Sequence, residues 1–171
     1  LAGIATRLLF DLASFWPPNA ILFCILVFRP KTNRPLTWIA AIVGYALADA
    51  IAGSNLLNIL ALNAANLVGV AAGVVMCKAM PRDVLRLHKP IDAIIVMLVV
   101  SVASIVTAIL GAAVGPMLFG MSIPEGLALW FSSEFVNYAL IFPIMAALVS
   151  RDDDKFRLIS RNQSVAVQQF G

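Results

Sequence analysis

Charge is what this sequence has least of: Asp, Glu, Lys and Arg together make up 12% of its 171 residues, about half of what a soluble domain carries. So few ionic groups cannot cover a water-facing surface, and 61% of the residues are hydrophobic, so the chain reads as a membrane protein. Cysteine is scarce too. Cys24 and Cys77 fall in or at the end of apolar runs, without metal-ligand spacing, which argues against a disulfide framework or a zinc site. Histidine occurs once, as His88 beside Lys89, and reads as a solvated loop residue. The aspartates Asp152, Asp153 and Asp154 stand between Arg151 and Lys155 and read as a solvated charge run rather than a metal cluster. No phosphate loop, paired-histidine metal motif or nucleophile elbow occurs, so no catalytic residue, cofactor or metal is assigned. A net charge of +3 would suit nucleic acid, yet the 12 Lys and Arg are spread through short loops. No nucleic-acid partner is expected.

What the chain does have is long apolar runs: Pro18 to Phe28, Leu36 to Gly53, Asn55 to Cys77, Ile91 to Met117 and Pro124 to Val149. All but the first can cross about 30 Å of hydrocarbon at ~1.5 Å per residue. The first would cross only with Phe15 and Trp16 included, or where the bilayer thins. Proline marks the borders of these runs, where it costs no helix-interior hydrogen bond; Pro143 is the exception. The expected fold is therefore all-α, a polytopic transmembrane helix bundle. Residues 15–149 form it, 1–14 make an interfacial segment or the end of a missing span, and 150–171 make a cytoplasmic tail or linker. Leu1 is not Met, so the chain is expected to begin inside a longer protein.

Basic residues occupy alternate loops. Arg29, Lys31 and Arg34 fill one, Lys78, Arg82, Arg86 and Lys89 another, and Arg151, Lys155, Arg157 and Arg161 come after the last run. The Gly53-Ser54 turn and the Leu118 to Ile123 loop hold none. The positive-inside rule then puts the basic loops and the C-terminus in the cytoplasm. Leu1 to Ser14, with Arg7 and Asp11 one helical turn apart, is expected on the outer surface. The tail beyond Ser150 carries Phe156, Leu158 and Ile159 among charges and is expected to be an exit helix or interface segment.

Polar residues inside apolar runs are the candidates for function. Asn55, Asn58, Asn63 and Asn66 share an arc of roughly 140° on one helix, and amides in hydrocarbon need partners. Trp130, Glu134 and Asn137 make a second stripe. An ionised carboxylate near mid-bilayer is penalised by at least about 2.5 to 3.5 kcal/mol on insertion scales, so Glu134 should be paired, wetted or neutral. It reads as a ligand, ion or proton site or, alternatively, as a carboxyl that locks helices together. An internal cavity shared by Trp130, Glu134 and Asn137 with Asn66 and Asn63 is expected, while Asp49 lies nearer the outer surface. Trp16, Pro17, Pro18 and Asn19 open a helix whose first turn can attract an anion, or else anchor it at the interface. The pairs Gly69/Gly73 and Gly111/Gly115 allow close helix approach, within this bundle or in a homodimer.

Phe15-Trp16-Pro17-Pro18-Asn19-Ala20-Ile21, a short apolar helix, a basic loop and a span ending in Asp49 and Gly53 together resemble the opening of the type-one membrane-associated sensor domain of bacteria. Asn66, Trp130, Glu134 and Pro143 resemble its later pattern, and the resemblance runs over roughly Phe15 to Leu148. Two positions depart from it: the family often has an acidic residue where Gly69 stands and a glycine where Asn137 stands. The resemblance implies a sensory input module in the bacterial inner membrane, binding an unknown small ligand or partner membrane protein. Such modules are fused to a diguanylate cyclase, a cyclic-di-GMP phosphodiesterase or a histidine kinase. Their usual span count is about eight, so later spans lie outside this chain or the version is shortened. A substrate-binding subunit of a small-solute transporter and a structural subunit of a membrane complex are the alternatives.

Overall fold

The computed structural model describes residues 16–170, with side chains as far as Arg151. The expected interfacial segment Leu1 to Ser14, with Arg7, lies outside the described residues, as does Phe15. Among those described, α1 is Pro17–Phe28, α2 Pro35–Ile51, α3 Leu56–Lys78, α4 the four-residue Arg82–Leu85, α5 Pro90–Phe119 and α6 Ile123–Phe170. One 3-10 turn, Pro30–Thr32, joins α1 to α2. The architecture is all-helical, and each expected apolar run became a helix. Three helices are long and apolar enough to cross a membrane: α3, α5 and the Ile123–Arg151 part of α6. With 17 residues, α2 is about 25 Å long, at the lower edge of what spans.

Local chemistry sets where the helices start and stop. Proline occupies the first turn of α1, α2 and α5, where a missing N–H breaks no helix bond. Asn55 precedes α3 and its side chain accepts the N–H of Asn58, capping the helix. Asp92 accepts the N–H of Lys89 at the start of α5. Gly53 and Gly120, at φ 83° and 65°, supply the left-handed residues that turn α2 into α3 and α5 into α6. One border differs from the sequence reading. Apolar residues carry α5 on to Phe119, so Pro116 sits inside that helix just as Pro143 sits inside α6.

α5 packs along α6, α3 packs on α5, and α1 wedges between α3 and α6. α2 leans on α3 alone among the larger contacts. Burial follows that order. Ala20, Phe23 and Cys24 of α1 are fully enclosed, whereas α2 buries only Tyr45 and Asp49 and turns Leu36, Ile39, Val43 and Leu47 outward. An outward apolar face suits a helix surrounded by acyl chains. Close approach depends on glycine. A Cβ at Gly69 would collide with Thr107, one at Gly73 would lie 2.8 Å from the Phe23 ring, and one at Gly111 2.5 Å from Trp130. Both glycine pairs thus face helices of their own chain.

Replacing Gly111 by leucine is expected to destabilise the bundle by about 1–3 kcal/mol or more through overpacking against Trp130. Gly44 has no neighbour within 4 Å, so Gly44→Ala should be neutral or gain up to about 1 kcal/mol of helix propensity. Thermal unfolding in detergent compares the two; equal melting temperatures would contradict this packing.

Candidate functional site

Glu134 lies 11 residues into α6, about 16 Å from its start, and is 3% exposed. A carboxyl at that depth needs a donor, and the chain supplies one from far away in sequence: Asn19 Nδ2 donates to Glu134 Oε1 at 2.6 Å. Asn19 belongs to the first turn of α1, and Trp16 before it is non-helical at φ −125°, ψ 73°. α1 therefore begins deep in the bundle, level with Glu134, and runs about 18 Å toward the basic end. Its apolar run is too short to cross because it occupies only part of the thickness. The first turn of a helix carries positive partial charge. The acidic group beside it is provided by the chain itself.

Two tyrosines complete this centre. Tyr45 on α2 and Tyr138, one turn after Glu134 on α6, lie within electrostatic range of the carboxyl. Tyr138 packs edge-on against Phe23 at 5.1 Å, and Tyr45 meets Trp16 edge-on at 6.3 Å. Glu134 Oε2, Asn19 Oδ1 and both tyrosine hydroxyls are buried with no hydrogen-bond partner among the described residues. The set offers two unpaired acceptor oxygens and two hydroxyls that can each donate and accept, so a hydroxyl rotation or a small polar guest can be satisfied there. Neither tyrosine is singled out by the sequence reading, although the four-residue step from Glu134 to Tyr138 is a usable signal.

The asparagine stripe does not act as one face. Asn55 is spent as a helix cap, and Asn58 lines a polar cleft of about 300 Å3 at the Gly53 end of the bundle with Ser54 and Phe119. Asn63 Nδ2 donates to Asp49 Oδ2 at 3.1 Å. Asp49, two residues from the end of α2 at the Gly53 turn, is fully buried inside the bundle, where the amide of α3 meets its carboxylate. Asn66 is buried but is not the amide that meets Glu134. Asn137 Nδ2 donates to the carbonyl of Ser133 at 2.7 Å, within its own helix. Trp130 packs over Gly111 with Phe119, Leu62 and Ala108 around it. Pro17 and Pro18 form the start of α1 beside Asn19. Two separate polar contacts result, Asn19 with Glu134 and Asn63 with Asp49, in place of one shared cavity.

A double-mutant cycle between Asn19→Leu and Glu134→Leu should show coupling of at least about 0.6 and up to about 1.7 kcal/mol, the average and the maximum measured for hydrogen bonds between membrane helices. Glu134→Gln should cost less than Glu134→Leu, because its side-chain carbonyl still accepts from Asn19. Reversible unfolding in mixed micelles gives both numbers, and additive single effects would remove the contact from the energetics.

Compared with known proteins, the chain is similar to a probable diguanylate cyclase, DgcF, of Escherichia coli O157:H7. The two are 29% identical over 149 residues, covering 85% of this chain and 31% of that protein. The chain thus spans less than a third of that relative's length. No protein-family model and no solved structure matches it. The comparisons do not show the type-one membrane-associated sensor family, and what they add is a distant likeness between this helical bundle and part of a protein named as a probable diguanylate cyclase.

Proposed function

We propose that the bundle is an input domain of the bacterial inner membrane, which detects a signal at the polar centre around Glu134 and passes it to a cytoplasmic output domain of the diguanylate cyclase kind. The observation that carries this reading is the course of α6: the helix that holds Glu134 continues unbroken from Ile123 to Phe170, well past its apolar part. A helix is the stiffest connection a chain can make, so a shift at Glu134 reaches the tail as rotation or translation. Pro143 lies between the two and cannot donate to the carbonyl of Ala139, which makes a local bend inexpensive. The similarity to DgcF favours a cyclase output over the histidine kinase, which gains no support. Catalysis belongs to that output and not to this chain. A signal acts here by binding one of two helix packings more tightly than the other.

The transporter-subunit reading keeps one specific point in its favour, because α1 begins inside the bundle beside a carboxyl, as discontinuous transporter helices do. Transmission separates the two readings. With the chain joined through its tail to a cyclase domain, inserting one residue after Arg151 turns the downstream helix by about 100°, and inserting seven restores the face. Cyclic-di-GMP levels should therefore change with one to three inserted residues and recover with seven. Indifference to insertion length would overturn the input-domain reading.

Orientation is the second expectation. Basic loops in the cytoplasm place Lys31 and Arg82 inside and Ser122 outside. Single cysteines introduced at these positions and treated with an impermeant thiol reagent should react from outside only at position 122; reaction at 31 or 82 would reverse the topology. Glu134→Gln should alter the signal response while leaving insertion intact, measured as cyclic-di-GMP output against membrane yield.

A further inference from the structure

The basic end of the bundle holds a pocket of about 230 Å3 that neither the Glu134 centre nor the exit helix uses. Its walls are Leu26 of α1, Val74 and Cys77 of α3 and Leu85 of α4, all buried, and its edge carries Lys78 and Arg82, both exposed. It sits where α1 and α3 end and the charged connections begin, the level at which hydrocarbon gives way to headgroups. More positive charge stands at the same end: Arg29, Lys31, Arg34, Arg86 and Lys89, against Asp83 and Asp92. Asp92 is already engaged by the Lys89 N–H.

These features select an occupant. A free anion in water has no use for apolar walls, and a plain hydrocarbon none for two cations. An amphiphile with a phosphate head and an acyl chain satisfies both. We propose that this pocket holds one anionic phospholipid, its phosphate between Lys78 and Arg82 and the first part of an acyl chain against Leu26, Val74 and Leu85. The lipid would join the ends of α1 and α3 to α4, and so fasten the short helix at the end opposite Glu134. This site is independent of the proposed output.

Native mass spectrometry of the full chain released from detergent tests it, with phosphatidylglycerol and phosphatidylcholine of identical chains as probes. One phosphatidylglycerol should be retained roughly tenfold more strongly than phosphatidylcholine. The pair Lys78→Gln and Arg82→Gln should remove that preference, while Lys31→Gln with Arg34→Gln, at the same end but outside the pocket, should keep it. Val27→Trp adds bulk to the apolar lining without touching charge and should also lower retention; circular dichroism checks that it is folded, and if it is not, the comparison of the two charge pairs decides. Equal retention of the two lipids, equal loss in both charge pairs, or displacement by millimolar inorganic phosphate would overturn the proposal, the last because it would show that the acyl chain is not recognised.

Discussion

A carboxyl buried halfway through an apolar bundle is the constraint around which this fold is arranged. Glu134 is 3% exposed, and three polar side chains gather around it: Asn19 from α1 by hydrogen bond, and Tyr45 from α2 and Tyr138 from its own helix within electrostatic range. The cost of an unsatisfied polar group in such surroundings is several times the net gain from a satisfied one. Packings that separate α1 from α6 are therefore penalised more heavily than lost van der Waals contact alone would require. The short α1 needs that help. With 12 residues it is too brief to be stable by itself, and it owes its place to near-complete burial of Ala20, Phe23 and Cys24 and to the Asn19 contact.

Small residues make that burial feasible. Phe23 rests on Gly73, Thr107 on Gly69, and Trp130 on Gly111, so three bulky or branched side chains lie where a second side chain would otherwise stand. In a bilayer no hydrophobic force drives helices together, and close fit has to supply most of the association. The glycines and the buried polar pairs thus do different work. Glycine sets how near α3, α5 and α6 come, and the polar pairs fix which faces of α1 and α2 turn inward.

The helices are legible in the sequence because a 20-residue apolar run has few alternatives in a membrane, and borders such as Pro35, Gly53 and Pro90 announce themselves through backbone chemistry. Glu134, Asn19, Asp49 and Asn63 are likewise visible as polar residues that need partners. Their pairing is not. Asn19 and Glu134 are 115 positions apart, and nothing in helical periodicity ranks Asn19 above Asn66 as the partner, since both sit on helices that can reach the centre. Reading the asparagines of α3 as a single face fails for a related reason: Asn55 precedes the helix and is consumed by its cap, and a wheel drawn through it has no meaning there. The depth of α1 also stays hidden, because run length shows that a helix is too short to cross without showing which half it fills.

Of the helices longer than one turn, α2 buries the fewest side chains. Its buried side chains are Tyr45 and Asp49 alone, one beside Trp16 and within range of Glu134, the other paired with Asn63. Most of its remaining surface faces outward, so lipid can replace lipid as it moves and little packing is lost. Local stability follows the number of buried contacts, so on the proposed reading α2 is the helix expected to shift first when the centre changes. Tyr45 connects the two events, since it lies within range of the Glu134 carboxyl and against the Trp16 ring at the start of α1. A guest or proton that alters the demand of Glu134 for hydrogen bonds acts at once on α1 and α2, the two helices whose inward faces are set by polar contacts, while α3, α5 and the glycine-packed face of α6 stay in register. On the proposed input-domain reading, movement would thereby be confined to one side of the bundle, and α6, which packs against both α1 and α5, would carry the difference toward the tail.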